Sequence, residues 1–229
     1  LNVGNVRQYI YSLKAHSEML WNFSSFDPDV YTKQWCTERF SEHASLAENC
    51  YRLYYQSFVK DTDKNTRYML DGEVNRLGRK FTGILIDRFT DRMDILDDPQ
   101  KVRDRIQQVE EQLAKLDQVS GPMEKLRTTL KGEKRQFFQE NLVSWYHIMR
   151  GLLVWLDESL KAGIALDQGQ KQKALDHLQQ ALDGMNEVRD GQRLTSQGRW
   201  QHFYRGDRKM NLDRSENLTK ELLAVLKKN

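Results

Sequence analysis

Proline, glycine and cysteine are all scarce in this sequence. Three prolines and thirteen glycines in 229 residues favour long helices over many short strands joined by turns. Two cysteines, Cys36 and Cys50, are too few for a disulfide framework, and neither has a second Cys or a His at metal-ligand spacing. They read as small buried or half-buried thiols, with a single disulfide as the alternative. No apolar run approaches the roughly 20 residues of a membrane span. No basic start followed by an apolar stretch and small residues marks a signal peptide, and the chain opens on Leu1 rather than Met, as a processed or excised piece would. An excess of one charge is missing too. The 36 basic and 33 acidic residues are interleaved and leave a net charge of +3, so no electrostatic footprint for nucleic acid or a membrane surface stands out.

What is present is enough apolar material for a core, 38% hydrophobic residues including 10% aromatic, in helical rhythm. The expected fold is all-α, an antiparallel bundle of five or more helices. Val6, Tyr9, Ile10, Leu13 and Leu20 predict an amphipathic helix over 5–21. Asp27 before Pro28 is an N-cap followed by proline at the first helical position, starting a second helix through Tyr31 and Trp35. A third carries Leu46, Cys50, Leu53, Tyr54 and Phe58 on one face. Residues 64–82, with Gly72 and Gly78 among charges, predict a loop with a short helix.

Asp97-Asp98-Pro99 repeats the cap-and-proline start, and Val102, Ile106, Val109, Leu113 and Leu116 follow at heptad-like spacing. Such a stripe over two to three heptads reads as the inner face of a bundle helix, with a partner-binding face as the alternative. Gly121-Pro122 is expected to restart the chain. After Gly132 a helix apolar nearly all round should be central, with Trp145, Met149, Leu152 and Leu156 fully buried. A last bundle helix spans 167–194 with Ala174, Leu178, Ala181, Leu182, Met185 and Val188 inside, and Gly198 closes it. Ser215 is expected to cap a short terminal helix.

Chemical motifs are sparse. His16, His43, His147, His177 and His202 show no His-x-x-x-His or His-Glu-x-x-His spacing, so no metal and no cofactor is expected. No nucleophile elbow, phosphate loop or dinucleotide fingerprint occurs. Arg205-Gly206-Asp207, an adhesion tripeptide elsewhere, reads most simply as a turn. The exposed-looking aromatics are Trp21 with Phe23 and Phe26 at a helix end, and Trp200 with Phe203 and Tyr204 in a late connection. Trp21, Trp200 and Tyr204 are the candidates for stacking on a sugar or covering a neighbouring domain.

Leu1-Asn2-Val3-Gly4-Asn5-Val6-Arg7-Gln8, then Leu20-Trp21-Asn22, then Tyr31-Thr32-Lys33-Gln34-Trp35-Cys36-Thr37-Glu38-Arg39-Phe40 resemble, in order and spacing, a junction in glycoside hydrolase family 115, the xylan α-1,2-glucuronidases. There V-N-V-G-D-x-K-P ends the last barrel strand, a helix ends in A-W-N-P, and Y-T-R-R-W-A-x-Q-Q-F follows. The stretch from Lys134 to Leu142 is similar to the family's Q-R-D-A-F-F-x-L-V helix, and Gly198-Arg199-Trp200-Gln201-His202 resembles its G-K-W-N-H-M-M end. Asn5 stands for the family's Asp, Gln8 and Phe23 for its prolines, and the pattern breaks off at Phe203, which implies a diverged or differently specific relative.

The resemblance implies a division of the chain: residues 1–4 as the end of a preceding barrel strand, 5–197 as a helical bundle, and 198–229 as an irregular connection and short terminal helix. It implies a non-catalytic domain that braces the catalytic barrel of the same protein or mediates a homodimer, in a secreted or periplasmic parent acting on polysaccharide. The chain alone is expected to be inactive, and Asn2, at the end of the strand, is the one residue implied to contact substrate. The alternative is a self-standing helical module that binds a protein partner through the 102–116 stripe.

Overall fold

The computed structural model describes residues 9–60, 68–205 and 210–228. The elements are α1 (Ile10–Trp21), α2 (Pro28–Phe40), α3 (Ala44–Gln56), α4 (Asp71–Thr90), α5 (Pro99–Thr129), α6 (Gly132–Phe138), α7 (Ser144–Asp167), α8 (Lys171–Thr195) and α9 (Leu212–Lys228). Among the described residues there is no strand, only an isolated antiparallel bridge between Lys60 and Tyr68. The fold is an all-α, multi-helix bundle. The strand expected at residues 1–4 lies outside the described residues.

Both proline-started helices form as their sequences dictate. The Asp27 carboxylate accepts the N–H groups of Asp29 at 2.7 Å and Val30 at 3.0 Å, and Asp98 accepts that of Lys101 at 3.1 Å, satisfying donors that a helix start leaves free. Helix α7 is the axis. Most of its residues are buried, because α8 packs along it while α4 and α5 cover its other sides. Glycine lets α7 and α8 approach: a Cβ on Gly151 would stand 2.5 Å from the Gly184 carbonyl oxygen, and one on Gly184 2.8 Å from that of Gly151. The two helices join through Gly169, whose φ of +69° is a left-handed conformation open to glycine.

The buried side chains form two cores. The larger is aromatic at the α2–α3 end, where Trp35, Phe40, Tyr51 and Phe138 are wholly buried. The smaller joins α4, α7, α8 and α9 around Leu85, Leu178, Leu222 and Leu226. Polar ties fix α9 to the rest: the Trp155 indole N–H donates to Thr219 Oγ1 at 2.9 Å, and Ser215 Oγ donates to Asn75 Oδ1 at 2.6 Å.

Several expectations need correction. From Asp71 onward the supposed loop is the 20-residue helix α4; Gly78 is there because the Trp155 ring would lie 2.4 Å from a Cβ at that position. Helix α5 runs through Gly121-Pro122 without a break. Proline's ring clashes with the Cβ of the residue before it when that residue is helical, and Gly121 has none. Trp145 is only partly buried, whereas Met149, Leu152 and Leu156 are buried as expected. Ser215 is not a cap but a buried residue inside α9; Asn211 Oδ1 accepts the Arg214 N–H at 3.3 Å instead. The buried face of α3 is Ala47, Cys50, Tyr51 and Tyr54, with Leu46 and Leu53 at its margin. The 102–116 stripe faces inward: Val109 and Leu116 are buried in the larger core, and the partly buried Val102, Ile106 and Leu113 pack against that core. Cys36 and Cys50 are free and buried, and burial pushes both thiols up to about 12.

Candidate functional site

Two surface features gather apolar side chains that packing leaves uncovered. The first is the tip where α1 passes into α2. The Asn22 N–H closes α1 on the Glu18 carbonyl at 3.0 Å, a single 3₁₀ turn (Phe23–Ser25) follows, and Asp27 opens α2. With the direction of the chain fixed at both ends, Leu20, Trp21, Phe23 and Val30 are left 72%, 94%, 79% and 62% exposed. A shallow cavity of about 420 Å³ lies beside them, with Trp21, Phe26 and Val30 in its lining and Glu18, Asp27 and Gln34 at its polar margin.

The second feature is an aromatic pocket of about 370 Å³ between the start of α1, the end of α3, the start of α4 and α7. Tyr9, Tyr54, Tyr55, Phe58, Tyr68 and Trp145 supply its rings. Tyr9 and Trp145 lie 5.3 Å apart at 38°, while Tyr54 meets Tyr55 at 79° and Phe58 at 87°, so walls stand at steep angles to each other. Among the described residues, Leu70 and Met149 add to the apolar lining, and Ser12 and Asp71 are its polar members besides the phenols. Asp71 Oδ1 accepts the Gly72 N–H at 2.8 Å. Burial, then the nearby Asp71 and Tyr204, push the Tyr9 phenol up to about 12; burial holds Tyr55 at about 12 as well. These phenols stay neutral at physiological pH.

The charged groups nearer the middle of the bundle are tied to one another. Arg150 donates to Asp117 on α5 at 2.8 Å and to Glu187 on α8 at 2.6 Å, and His147 Nδ1 lies 3.1 Å from Glu187. Lys161 bridges Asp157 and Glu110, at 2.7 Å to each, and His177 Nδ1 lies 2.7 Å from Glu158. These sets cross-link α7 to α5 and α8. No group of three or more His, Cys, Asp or Glu side chains that could hold a metal occurs among the described residues, and no helix there is long and apolar enough to cross a membrane.

The residues expected from sequence fall in different places. Asn2 lies outside the described residues, as do Gly206 and Asp207 of the tripeptide. Trp21 is the most exposed large hydrophobic side chain of the α1–α2 tip. Trp200 and Tyr204 belong to the turn after α8, both stacked edge-on against Phe203, and the Tyr204 hydroxyl pairs with Thr195 Oγ1 at 3.0 Å. They are partly covered.

Sequence reasoning missed the aromatic pocket. A signal for it does exist in the doublet Tyr54-Tyr55: neighbours on a helix point about 100° apart, so the second ring cannot share the buried face of the first. Comparison with family models, curated proteins and solved structures gives no match for this chain.

Proposed function

We propose that this chain is a non-catalytic helical domain of a polysaccharide-degrading glycoside hydrolase, seated through the α1–α2 tip against the catalytic barrel of the same protein. One observation carries the reading: four large apolar side chains around the α1–α2 connection, Leu20, Trp21, Phe23 and Val30, stand uncovered, where Leu20-Trp21-Asn22 resembles the A-W-N-P end of the helix that follows the family's last barrel strand. An exposed apolar cluster rimmed by polar groups is the mark of an interaction surface. A barrel joined to α1 through a short connection would meet that surface at the high effective concentration of a tethered partner, an advantage a second free copy lacks. Polysaccharide would then be reached through the parent protein, with Asn2 at the barrel end of the junction as the substrate contact.

The test compares the isolated chain with the longer protein that contains it. Amide exchange over residues 17–34 should slow in the longer protein, and the double variant Trp21→Ser/Phe23→Ser should lower the melting temperature of the longer protein but not of the isolated chain. Equal exchange in both, or a coding region upstream of Leu1 with no barrel in it, overturns the reading. Concentration-dependent dimers of the isolated chain that vanish in the double variant would instead assign the tip to a homodimer.

The isolated chain should release no glucuronic acid from xylan fragments. Saturable release that a single carboxylate substitution abolishes would contradict the non-catalytic assignment. In the longer protein, Asn2→Ala should lower kcat/KM with little change in melting temperature; the reverse pattern would leave Asn2 as a turn cap alone.

A further inference from the structure

We infer that the shallow cavity beside the α1–α2 tip binds a neutral pyranose chain whose ring hydroxyls are equatorial, with one ring stacked on Trp21. The choice of polymer rests on the function proposed above, while the site stands on its own residues. Leu20 and Phe23 are not among the residues lining the cavity, so they remain for the barrel seat.

The first ground is an aromatic platform that needs little ordering. Trp21 is 94% exposed, on backbone fixed at both ends of the turn: the Asn22 N–H bonds the Glu18 carbonyl at 3.0 Å, and Asp27 caps α2. Phe26 and Tyr31 bring two more rings to the lining, 5.8 Å apart at 40°, and the Tyr31 hydroxyl donates to the Tyr11 carbonyl at 2.6 Å. A surface already held in place costs a ligand little conformational entropy. A pyranose with equatorial hydroxyls turns its axial C–H bonds to the two ring faces, and that flat apolar surface matches the negative face of an indole.

The second ground is the kind of polar group at the margin. Glu18, Asn22, Asp27 and Gln34 are two carboxylates and two amides, joined by Ser17 and Ser25. Carboxylates and amides are planar and offer two polar atoms side by side, which suits neighbouring hydroxyls on the edge of a sugar. Each keeps capacity beyond its bonds within the fold. Asp27 Oδ1 accepts the Asp29 and Val30 N–H groups, which leaves Oδ2. Asn22 Oδ1 accepts from Ser24 Oγ at 3.2 Å, which leaves the amide donors. Gln34 Nε2 donates to Glu38 at 3.5 Å, which leaves its Oε1. The Val30 and Asp29 N–H groups hold the Asp27 carboxyl below its usual range, so it stays an acceptor at neutral pH. Hydroxyls that lose water on entry therefore find replacements, without which binding a polyol would be costly.

The third ground is shape and charge. A shallow cavity of about 420 Å³, at the small end of ligand sites, seats a unit or two and lets the rest of a chain run past. The charged residues lining it among those described are both acidic. A uronate meets repulsion there, eased at Glu18 by Lys14 at 3.7 Å, and a neutral unit meets none.

Xylotriose, the open-chain polyol sorbitol and D-glucuronate, titrated into the isolated chain, separate ring, hydroxyls and charge. Binding is read by ligand NMR and by tryptophan fluorescence, to which Trp21 contributes. Xylotriose should bind in the millimolar range, and sorbitol and glucuronate roughly tenfold more weakly, the order of one aromatic contact. Trp21→Ala should weaken xylotriose by about fivefold or more, and Gln34→Ala by roughly twofold to fivefold, both at unchanged melting temperature because both side chains are exposed. Leu20→Ser/Phe23→Ser should leave xylotriose binding as it was. No binding at tens of millimolar, sorbitol or glucuronate bound as well as xylotriose, or an affinity unmoved by Trp21→Ala each overturns the inference. Because the barrel takes no part in these titrations, the two ideas fail separately. Absent xylotriose binding with slowed amide exchange in the longer protein removes the sugar site alone; binding with equal exchange in both proteins supports the sugar site and removes the seat.

Discussion

Asp157 holds a charge where the bundle has almost no water: it is 4% exposed, Oδ2 is 2.7 Å from Lys161 Nζ, and Oδ1 has no hydrogen-bond partner. Burial outweighs the pull of Lys161 and raises its carboxyl to about 6. The folded chain therefore holds this proton more tightly than the unfolded chain. Stability should fall as pH rises from about 4 to about 6 and carry the full penalty above that window. Asp157→Asn should accordingly be more stable than the parent at neutral pH, by on the order of 2–3 kcal/mol at about 1.4 kcal/mol per pKa unit, and the difference should shrink toward pH 4. Urea unfolding of both proteins at the two pH values measures it; a difference independent of pH would show that desolvation is not the cause. The tryptophans differ in the same local terms. Trp155 is wholly buried with its N–H bonded to Thr219, so Trp155→Ala should cost about 3–5 kcal/mol. Trp145, partly open to the aromatic pocket, should cost less than half as much. Apolar rhythm alone could not separate the two, because both lie on a helix that is apolar nearly all round, and which side of it stays open depends on the neighbours that arrive.

Glycine at the level of the helix divides into two kinds, and the sequence does not label them. Gly151 and Gly184 sit where backbone meets backbone, 2.5 and 2.8 Å from where a Cβ would go, and a carbonyl oxygen on a packed helix cannot swing aside as a side-chain end can. Gly151→Ala should push α7 and α8 apart and destabilise by about 1–3 kcal/mol or more. Gly83 and Gly121 are also helical, yet a Cβ there meets nothing within 4 Å. Gly83→Ala should stabilise by about 0.5–1 kcal/mol, because alanine loses less backbone entropy on folding. Gly121→Ala should gain less or lose, since a Cβ before Pro122 opposes the helical conformation. Thermal melts of the three variants check the order; a stabilised Gly151→Ala would remove the close-packing account. The same distinction explains how far the elements could be read in advance. Asp27-Pro28 and Asp98-Pro99 announce their helices because a cap acts within three residues. Gly121-Pro122 and the glycines of α4 misled because tertiary burial of Val119, Met123, Leu126, Val74 and Leu85 overrides local breakers, and that burial depends on partners distant in the chain. The aromatic pocket was hidden for the same reason: its walls come from residues 9, 54–58, 68 and 145, and only the doublet Tyr54-Tyr55 hints at a ring left off the core.

At the scale of the whole molecule, the two cores share a single spine. Helix α7 contributes Met149, Leu152 and Trp155 to the larger core and Ala162, Ala165 and Leu166 to the smaller, and α8 likewise gives Met185 and Val188 to one and Ala174 and Leu178 to the other. A helix held rigidly along both cannot lose its packing at one end while the close Gly151–Gly184 contact stays intact at the other, so the cores should unfold together. The tryptophans allow a direct check. The smaller core contains none of the chain's five, while Trp35 and Trp155 are in the larger and Trp145 packs against it. Leu222, wholly buried on α9 in the smaller core, is the place to perturb: Leu222→Ala should cost about 2–5 kcal/mol through lost burial and the cavity left behind. Under the shared-spine argument, the urea midpoint reported by tryptophan fluorescence should fall by as much as that reported by far-ultraviolet circular dichroism, with the two transitions superimposed. A dichroism signal that splits into two steps, with the fluorescence change other than that of Trp155, whose N–H bonds Thr219 on α9, staying at the parent midpoint, would mean that α9 and the ends of α4, α7 and α8 form a separable unit, and that α7 bends or frays between the cores.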